Sequence, residues 1–149
     1  MLHSTSSRRF VLRSVAAAVV LAGFGNAAFA QEVVKIGYSG PLSGGAALYG
    51  KNVLTGMEMA VAEINAEGLE VGGKKVRLEL VALDDKYNPA ESAINTQRLV
   101  QEHKTPAVLI PHSGGSFAVQ TTNERLGVLL LSYTSVPTIT ARGNKLTIR

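Results

Sequence analysis

Two hydrophobic rhythms alternate along the chain from Val33 onward. Val33 to Tyr38 is a β-rich run that ends in a Gly/Pro/Ser loop. From Asn52 to Ala66, Val53, Met57, Ala60, Val61 and Ile64 recur at helical spacing, with Lys51, Glu58 and Glu63 elsewhere on the circumference. Gly68 and Gly72-Gly73 break that helix. Lys75 to Leu83 reads as a strand, with Val76, Leu78 and Leu80 on one face and Arg77 and Glu79 on the other; Val81 and Leu83 then imply burial on both faces. Asn88-Pro89-Ala90-Glu91 opens a second helix running to about His103: Asn88 caps it, Pro89 fits its first turn and Glu91 can reach back to the cap. Ala107 to Ile110 is a third strand, Pro111 to Gly115 a loop, and Ser116 to Leu126 a helix that Gly127 terminates. Val128 to Leu131 is a fourth strand. Strands and helices in strict alternation predict an α/β fold, a parallel sheet with helices on both faces.

The first thirty residues follow neither rhythm. They hold no acid and three arginines, Arg8, Arg9 and Arg13, then an apolar run from about Val15 to Phe24 and the ending Ala28-Phe29-Ala30. A basic start, a short apolar middle and an A-x-A ending describe a signal peptide over residues 1–30, which leaves 31–149 as the mature domain. The apolar run is well short of the roughly 20 residues of a membrane-spanning helix. Ser7-Arg8-Arg9-Phe10-Val11-Leu12-Arg13 also resembles the twin-arginine export signal; the general export route is the alternative.

Removing the leader changes the charge picture. Three of the 15 lysines and arginines lie in it, so residues 31–149 carry twelve against 11 acids, a net of +1. Those basic residues do not cluster and aromatics make up only 5% of the chain, so no nucleic-acid partner is expected. The absence of cysteine excludes a disulfide framework, a thiolate metal site, a cysteine nucleophile and a cysteine-linked lipid.

In a sheet of this kind a ligand binds outside the carboxyl ends of the strands. The loops with that position, Ser39–Gly50, Pro111–Gly115 and Ser132–Thr138, are rich in Gly, Ser, Thr and Tyr and nearly free of charge. That chemistry suits hydrogen bonding to a small polar ligand, without metal or cofactor, rather than acid–base catalysis. Gly45 to Asn52 falls one residue short of the phosphate-binding pattern G-x-x-x-x-G-K-[ST], because Asn52 replaces the hydroxyl that would hold Mg²⁺; the alternative is glycines that permit a tight turn. Asp84-Asp85 are paired carboxylates without a neighbouring His or Glu, which points to capping or loop bonding. His112 reads as a neutral hydrogen-bonding or packing residue, and His103 sits near a helix C-terminus, where the dipole favours it. Ser113-Gly114-Gly115-Ser116 precedes a helix, so the Ser113 hydroxyl and nearby amides could hold a carboxylate; helix capping by Ser113 or Ser116 is the competing explanation. The run lacks the G-x-S-x-G frame of an esterase, and no histidine follows His112.

Taken together, "VVKIGYSGPLSGGAALYGKNVLTGMEMAVAEINAEG", "DDKYNPAESAINTQRLV" and "SYTSVPTITARGNKLTIR" resemble the amino-terminal lobe of leucine/isoleucine/valine-type periplasmic binding proteins, the receptors of branched-chain amino acid ABC importers. The resemblance covers Gln31–Arg149. It implies a type I periplasmic fold of two lobes, a non-enzymatic monomer in the periplasm, an amino acid or amide as ligand and a membrane permease as partner. It also implies that Tyr49 lies against the ligand side chain, that Ser113, beside His112 and Gly114, holds the carboxylate, and that Thr134-Ser135 supply backbone contacts. Where the family usually has a threonine, this chain has Val136. Tyr87 and His112 match positions that some relatives join by a disulfide. Family members continue well past the point matching Arg149, into a second lobe that supplies the acidic partner of the ligand amine. Two readings stand beside this one: a secreted hydrolase or nucleotide-binding enzyme on a doubly wound sheet, and a sensory relative using the lobe as an interaction module.

Overall fold

The computed structural model describes residues 31–149; the leader assigned to residues 1–30 lies outside the described residues. Its centre is β1 (Glu32–Gly40), which pairs in parallel with β3 (Lys74–Asp84) on one side and β4 (Ala107–Ile110) on the other. β5 (Leu129–Ser132) and β6 (Thr147–Ile148) extend the parallel sheet beyond β4, and β2 (Leu69–Val71) adds an antiparallel edge to β3. The strand order is β2-β3-β1-β4-β5-β6. The connecting helices are α1 (Ala47–Glu67), α2 (Pro89–Gln101), α3 (Ser113–Val119) and the single turn α4 (Asn123–Leu126).

The chain leaves β1 toward β3 and then returns past β1 to β4, so right-handed crossovers place α1 and α2 on opposite faces. Side-chain alternation fits. Leu99 of α2, Val108 and Ile110 of β4, Val119 of α3, and Val128 and Leu130 beside or within β5 form one fully buried cluster, with Val81 and Leu83 packed against it. On the other face Tyr38 is completely buried and its hydroxyl donates to the Gly50 carbonyl of α1 at 2.7 Å. Asn65 of α1 accepts from the Leu78 N–H at 2.8 Å and donates to the Leu78 carbonyl at 2.9 Å.

Four elements differ from the sequence expectation. α1 begins five residues before Asn52, at Ala47, because Gly44 turns the chain at φ 71° and its carbonyl accepts the Ala47 N–H; no side chain caps the start. Leu69–Val71 forms a hairpin with β3 across Gly72 and Gly73, whose positive φ values of 59° and 78° suit the tight turn. The expected helix from Ser116 to Leu126 starts at Ser113 and splits at Gln120–Thr122, where the Thr121 and Thr122 hydroxyls bond back to the carbonyls of Ala118 and Val119. β6 has no counterpart in the sequence pattern. Asn88 does cap α2, accepting from Ala90 N at 2.8 Å, but its own N–H goes to the Asp85 carbonyl rather than to Glu91. His103 lies just past the end of α2. Among the described residues no helix is long and apolar enough to cross a membrane.

Candidate functional site

Between β1 and β4 the strand order reverses, and the crevice at their carboxyl ends is where sheets of this type place a ligand. Tyr49, in the first turn of α1, spans that crevice: its hydroxyl donates to the Pro111 carbonyl, and burial followed by the neighbouring phenols of Tyr133 and Tyr87 raises its pKa. Gly50 anchors the same turn. A Cβ there would lie 1.9 Å from the Pro41 carbonyl oxygen, so close backbone approach, not phosphate, accounts for this glycine.

The loop after β3 is braced by both carboxylates. Asn88 N–H closes a turn onto the Asp85 carbonyl at 2.8 Å, and the two residues inside it, Lys86 and Tyr87, have φ of 55° and 63°. Left-handed backbone in two successive non-glycine residues costs energy. It is offset by the Asp84 carboxylate accepting from Lys86 N at 2.9 Å and the Asp85 carboxylate accepting from Tyr87 N at 2.9 Å. Asp84 also accepts from Leu42 N at 2.8 Å and from the Ser43 hydroxyl. Burial pushes its pKa up, yet these bonds outweigh it and hold the carboxyl below the ordinary value. The expectation of loop bonding for the acid pair fits this geometry.

Asp85 is wholly buried and centres a network that ties the loop after β3 to β1, α2 and the start of α3. It accepts from Ser92 Oγ at 2.7 Å, from His112 Nε2 at 2.9 Å and from Ser39 Oγ at 3.3 Å, while Asn95 donates to Ser39 Oγ and to the Asp84 carbonyl. Burial would raise the Asp85 pKa; the bonds from His112, Ser92 and Tyr87 N lower it below the ordinary value. His112 Nδ1 accepts from the Gly115 N–H at 3.0 Å, which caps α3 and fixes the tautomer with the proton on Nε2. The Tyr87 ring stacks on the imidazole at a centroid distance of 4.6 Å. The two positions matched to a disulfide thus face each other. Ser92, His112 and Asp85 are not a relay: serine and aspartate meet the same ring nitrogen, and Ser92 has no exposed surface.

The sequence-predicted contacts gather at the rim above this network. Ser113 Oγ and Thr134 Oγ1 lie 2.5 Å apart, so one donates to the other. Thr134 Oγ1 also accepts from Val136 N at 3.3 Å, and the Ser135 carbonyl accepts from Arg149. His112 itself is 4% exposed and reaches the rim only through its neighbours. At the start of α3 the Gly115 and Ser116 N–H groups are taken by the His112 side chain and carbonyl, and among the described residues those of Ser113 and Gly114 have no such partner. Ser116, the competing cap, is buried and accepts from Ser132 Oγ at 2.8 Å instead. Three exposed tyrosines, 49, 87 and 133, flank the rim, and Tyr49 and Tyr133 share an apolar groove of about 560 Å³ with Val53, Gly56, Met57 and Ala60 of α1. Among the described residues no group of His, Asp and Glu could hold a metal ion. Sequence reasoning named residues that the fold brings to the rim but not the Ser39–Asp85–Ser92–His112 network, whose members are up to 73 residues apart and form no local pattern.

The sequence model of a family described as "Periplasmic binding protein" matches residues 33–146. The Leu/Ile/Val-binding protein of Escherichia coli (strain K12) is 30% identical over 138 residues, covering 92% of this chain and 36% of the relative. The leucine-, isoleucine-, valine-, threonine- and alanine-binding protein of Pseudomonas aeruginosa is 31% identical, covering 89% and 35%. Among solved structures, the branched-chain amino acid transporter substrate-binding protein LivJ of Streptococcus pneumoniae, in complex with isoleucine, aligns with a TM-score of 0.69 at 34% identity over 78% of this chain and 33% of that one. A solute-binding protein of an ABC transporter from R. palustris, in complex with 4-hydroxybenzoate, aligns with a TM-score of 0.68 at 26% identity, covering 79% and 31%. The chain therefore spans about a third of the length of the relatives it matches.

Proposed function

Since this chain belongs to the periplasmic binding protein family, among relatives of Leu/Ile/Val-binding type, we propose that it forms part of the first lobe of a receptor that captures a small carboxylate-bearing solute for an ABC importer. The observation that carries this reading is the Ser113–Thr134 hydroxyl pair. One of these two hydroxyls donates to the other. Each has one proton to give, so a carboxylate arriving between them takes a bond from both, and the N–H groups of Ser113 and Gly114 can add to these. Hydrogen bonds to an ionised acceptor are shorter and stronger than those between neutral groups, which favours the exchange. Thr134-Ser135 and Val136 border the same anion, Tyr49 lies against the rest of the solute, and His112 stands beneath. A second lobe closes over the solute, and the permease receives it unchanged. In this reading the protein is a non-enzymatic monomer, directed to the periplasm by a leader removed after Ala30.

Branched-chain amino acids, or a related amino acid or amide, are the solutes the relatives support. An aromatic acid is the second reading. It is favoured by Tyr49, Tyr87 and Tyr133 at the rim and by the Val136 position, which offers no hydroxyl to an ammonium group; the R. palustris relative, crystallised with 4-hydroxybenzoate, is compatible with it. Titration calorimetry of the complete gene product with leucine, isoleucine, valine and 4-hydroxybenzoate separates the two. Ser113→Ala should weaken binding of whichever solute is held by about ten- to a hundredfold, the equivalent of roughly 1.5–3 kcal/mol for a bond to a charged group. Unchanged affinity in that variant would remove Ser113 from the site, and silence toward every acid tested would refute carboxylate capture.

A further inference from the structure

Three consecutive residues each fasten a different neighbouring segment. The Pro111 carbonyl accepts from Tyr49 at the start of α1, the His112 ring joins the loop after β3, and the Ser113 hydroxyl pairs with Thr134 after β5. Of the three, only His112 is tied at both ends. Its Nε2–H donates to Asp85, whose other carboxylate oxygen holds Tyr87 N–H in the left-handed turn; its Nδ1 accepts from Gly115 and so builds the turn that presents Ser113 and Gly114. The ring has no second place to go. Tyr87 stacks on it, and a Cβ added at Gly115 would meet His112 Cε1 at 2.7 Å and Ser92 Oγ at 2.5 Å.

We propose that His112 is a positioning residue for the solute: it couples the Lys86–Tyr87 turn to the first turn of α3 and so sets affinity without touching the solute. This rests on the reading of Ser113 as a carboxylate contact. The coupling needs the neutral ring with its proton on Nε2, because a proton on Nδ1 would oppose the Gly115 N–H. Asparagine at this position would keep an acceptor for Gly115 but could not also reach Asp85, so the two ends of the connector can be cut separately.

The test uses His112→Ala and His112→Asn in the complete gene product, each checked for folding by circular dichroism. Native-state amide exchange is followed at Tyr87 and at Gly115–Ser116, and affinity is measured for isoleucine and 4-hydroxybenzoate. In His112→Ala both segments should exchange at least about tenfold faster, with affinity for the bound probe falling by about tenfold or more. In His112→Asn only Tyr87 should exchange faster, with a smaller loss of affinity. A folded His112→Ala protein with wild-type affinity, or with wild-type exchange in either segment, overturns the proposal. So does a wild-type imidazole whose nitrogen shifts report the proton on Nδ1. If His112→Ala does not fold, His112→Asn decides through the Tyr87 amide: faster exchange there supports the coupling and unchanged exchange overturns it. If the wild type binds neither probe, it is the solute reading that fails: exchange in both segments then still overturns or upholds the coupling.

Discussion

On the side of the sheet that carries α2, α3 and α4, Val108, Ile110, Val128 and Leu130 are at most 1% exposed, whereas their chain neighbours Leu109, Leu129 and Leu131, on the α1 side, are only half-buried. The strands are the same; the cover differs. The closed side is a continuous apolar cluster, and the Asp85–His112–Ser92 network lies on it directly beneath the rim. The α1 side has one 21-residue helix, of which Gly50 alone is fully buried. Three contacts seat α1: Tyr38 on the Gly50 carbonyl, Pro41 against Gly50, and Asn65 on Leu78. The difference separates two tasks. Ser113 and Tyr87 are mounted on the tightly packed half, while Tyr49 rides on α1 and reaches across to the Pro111 carbonyl.

Truncating alternate residues of β5 should therefore give unequal results. Leu130→Ala removes a side chain with no exposed surface and should cost about 4 kcal/mol, while Leu131→Ala beside it should cost about 1 kcal/mol. Equal losses in chemical denaturation would erase the distinction. Next in size is Gly50→Ala, which puts a methyl against the Pro41 carbonyl and should cost about 3 kcal/mol by unseating α1. The loss should appear as faster amide exchange along α1 before it appears in β4 or β5.

Acid should act on the closed side. The native pKa of Asp85 is lowered, so its stabilising contribution is complete above about pH 4 and is lost as the pH falls through the lower native value. Asp84 behaves in the same direction. Melting temperature followed from pH 6 to about pH 2 should fall in the wild type; Asp85→Asn should start about 2 kcal/mol less stable and fall less steeply. The smallest effect is expected at Lys86, an exposed residue at φ 55°. Lys86→Gly removes a conformational cost without touching either face and should gain about 1 kcal/mol, read as a rise in the denaturation midpoint.

Much of this architecture was legible in the residues. β1, β4 and β5 are largely apolar runs, β3 alternates apolar and charged residues before Val81, and Asn88-Pro89 marks the start of α2 because both side chains act on their own backbone. What escaped was structure without a local signature. β2 and β6 are three and two residues long, too short for any periodicity, and are specified by the neighbours they pair with. The start of α1 has no capping side chain, so its glycines read as loop. α3 is capped by histidine, which is not among the usual N-cap residues, so the sequence pattern reads Ser113 and Gly114 as loop although they form a helical turn. The rim was legible for the opposite reason: Ser113-Gly114-Gly115 announces close approach within a few residues. The network below it joins Ser39, Asp85, Ser92 and His112 from four separate elements, and only the assembled sheet brings them together.

The Asn65 amide presents to Leu78 the same donor and acceptor that a peptide group of an adjoining strand would offer, at 2.9 and 2.8 Å. β2 covers β3 only from Lys74 to Val76, so Leu78 is where an incoming extended segment from another molecule would first find hydrogen bonds to make. One side chain from the protein's own helix already occupies that template. Asn65 thereby lowers the tendency of copies of this chain to join edge to edge, a contribution to solubility that no measure of folding free energy would reveal.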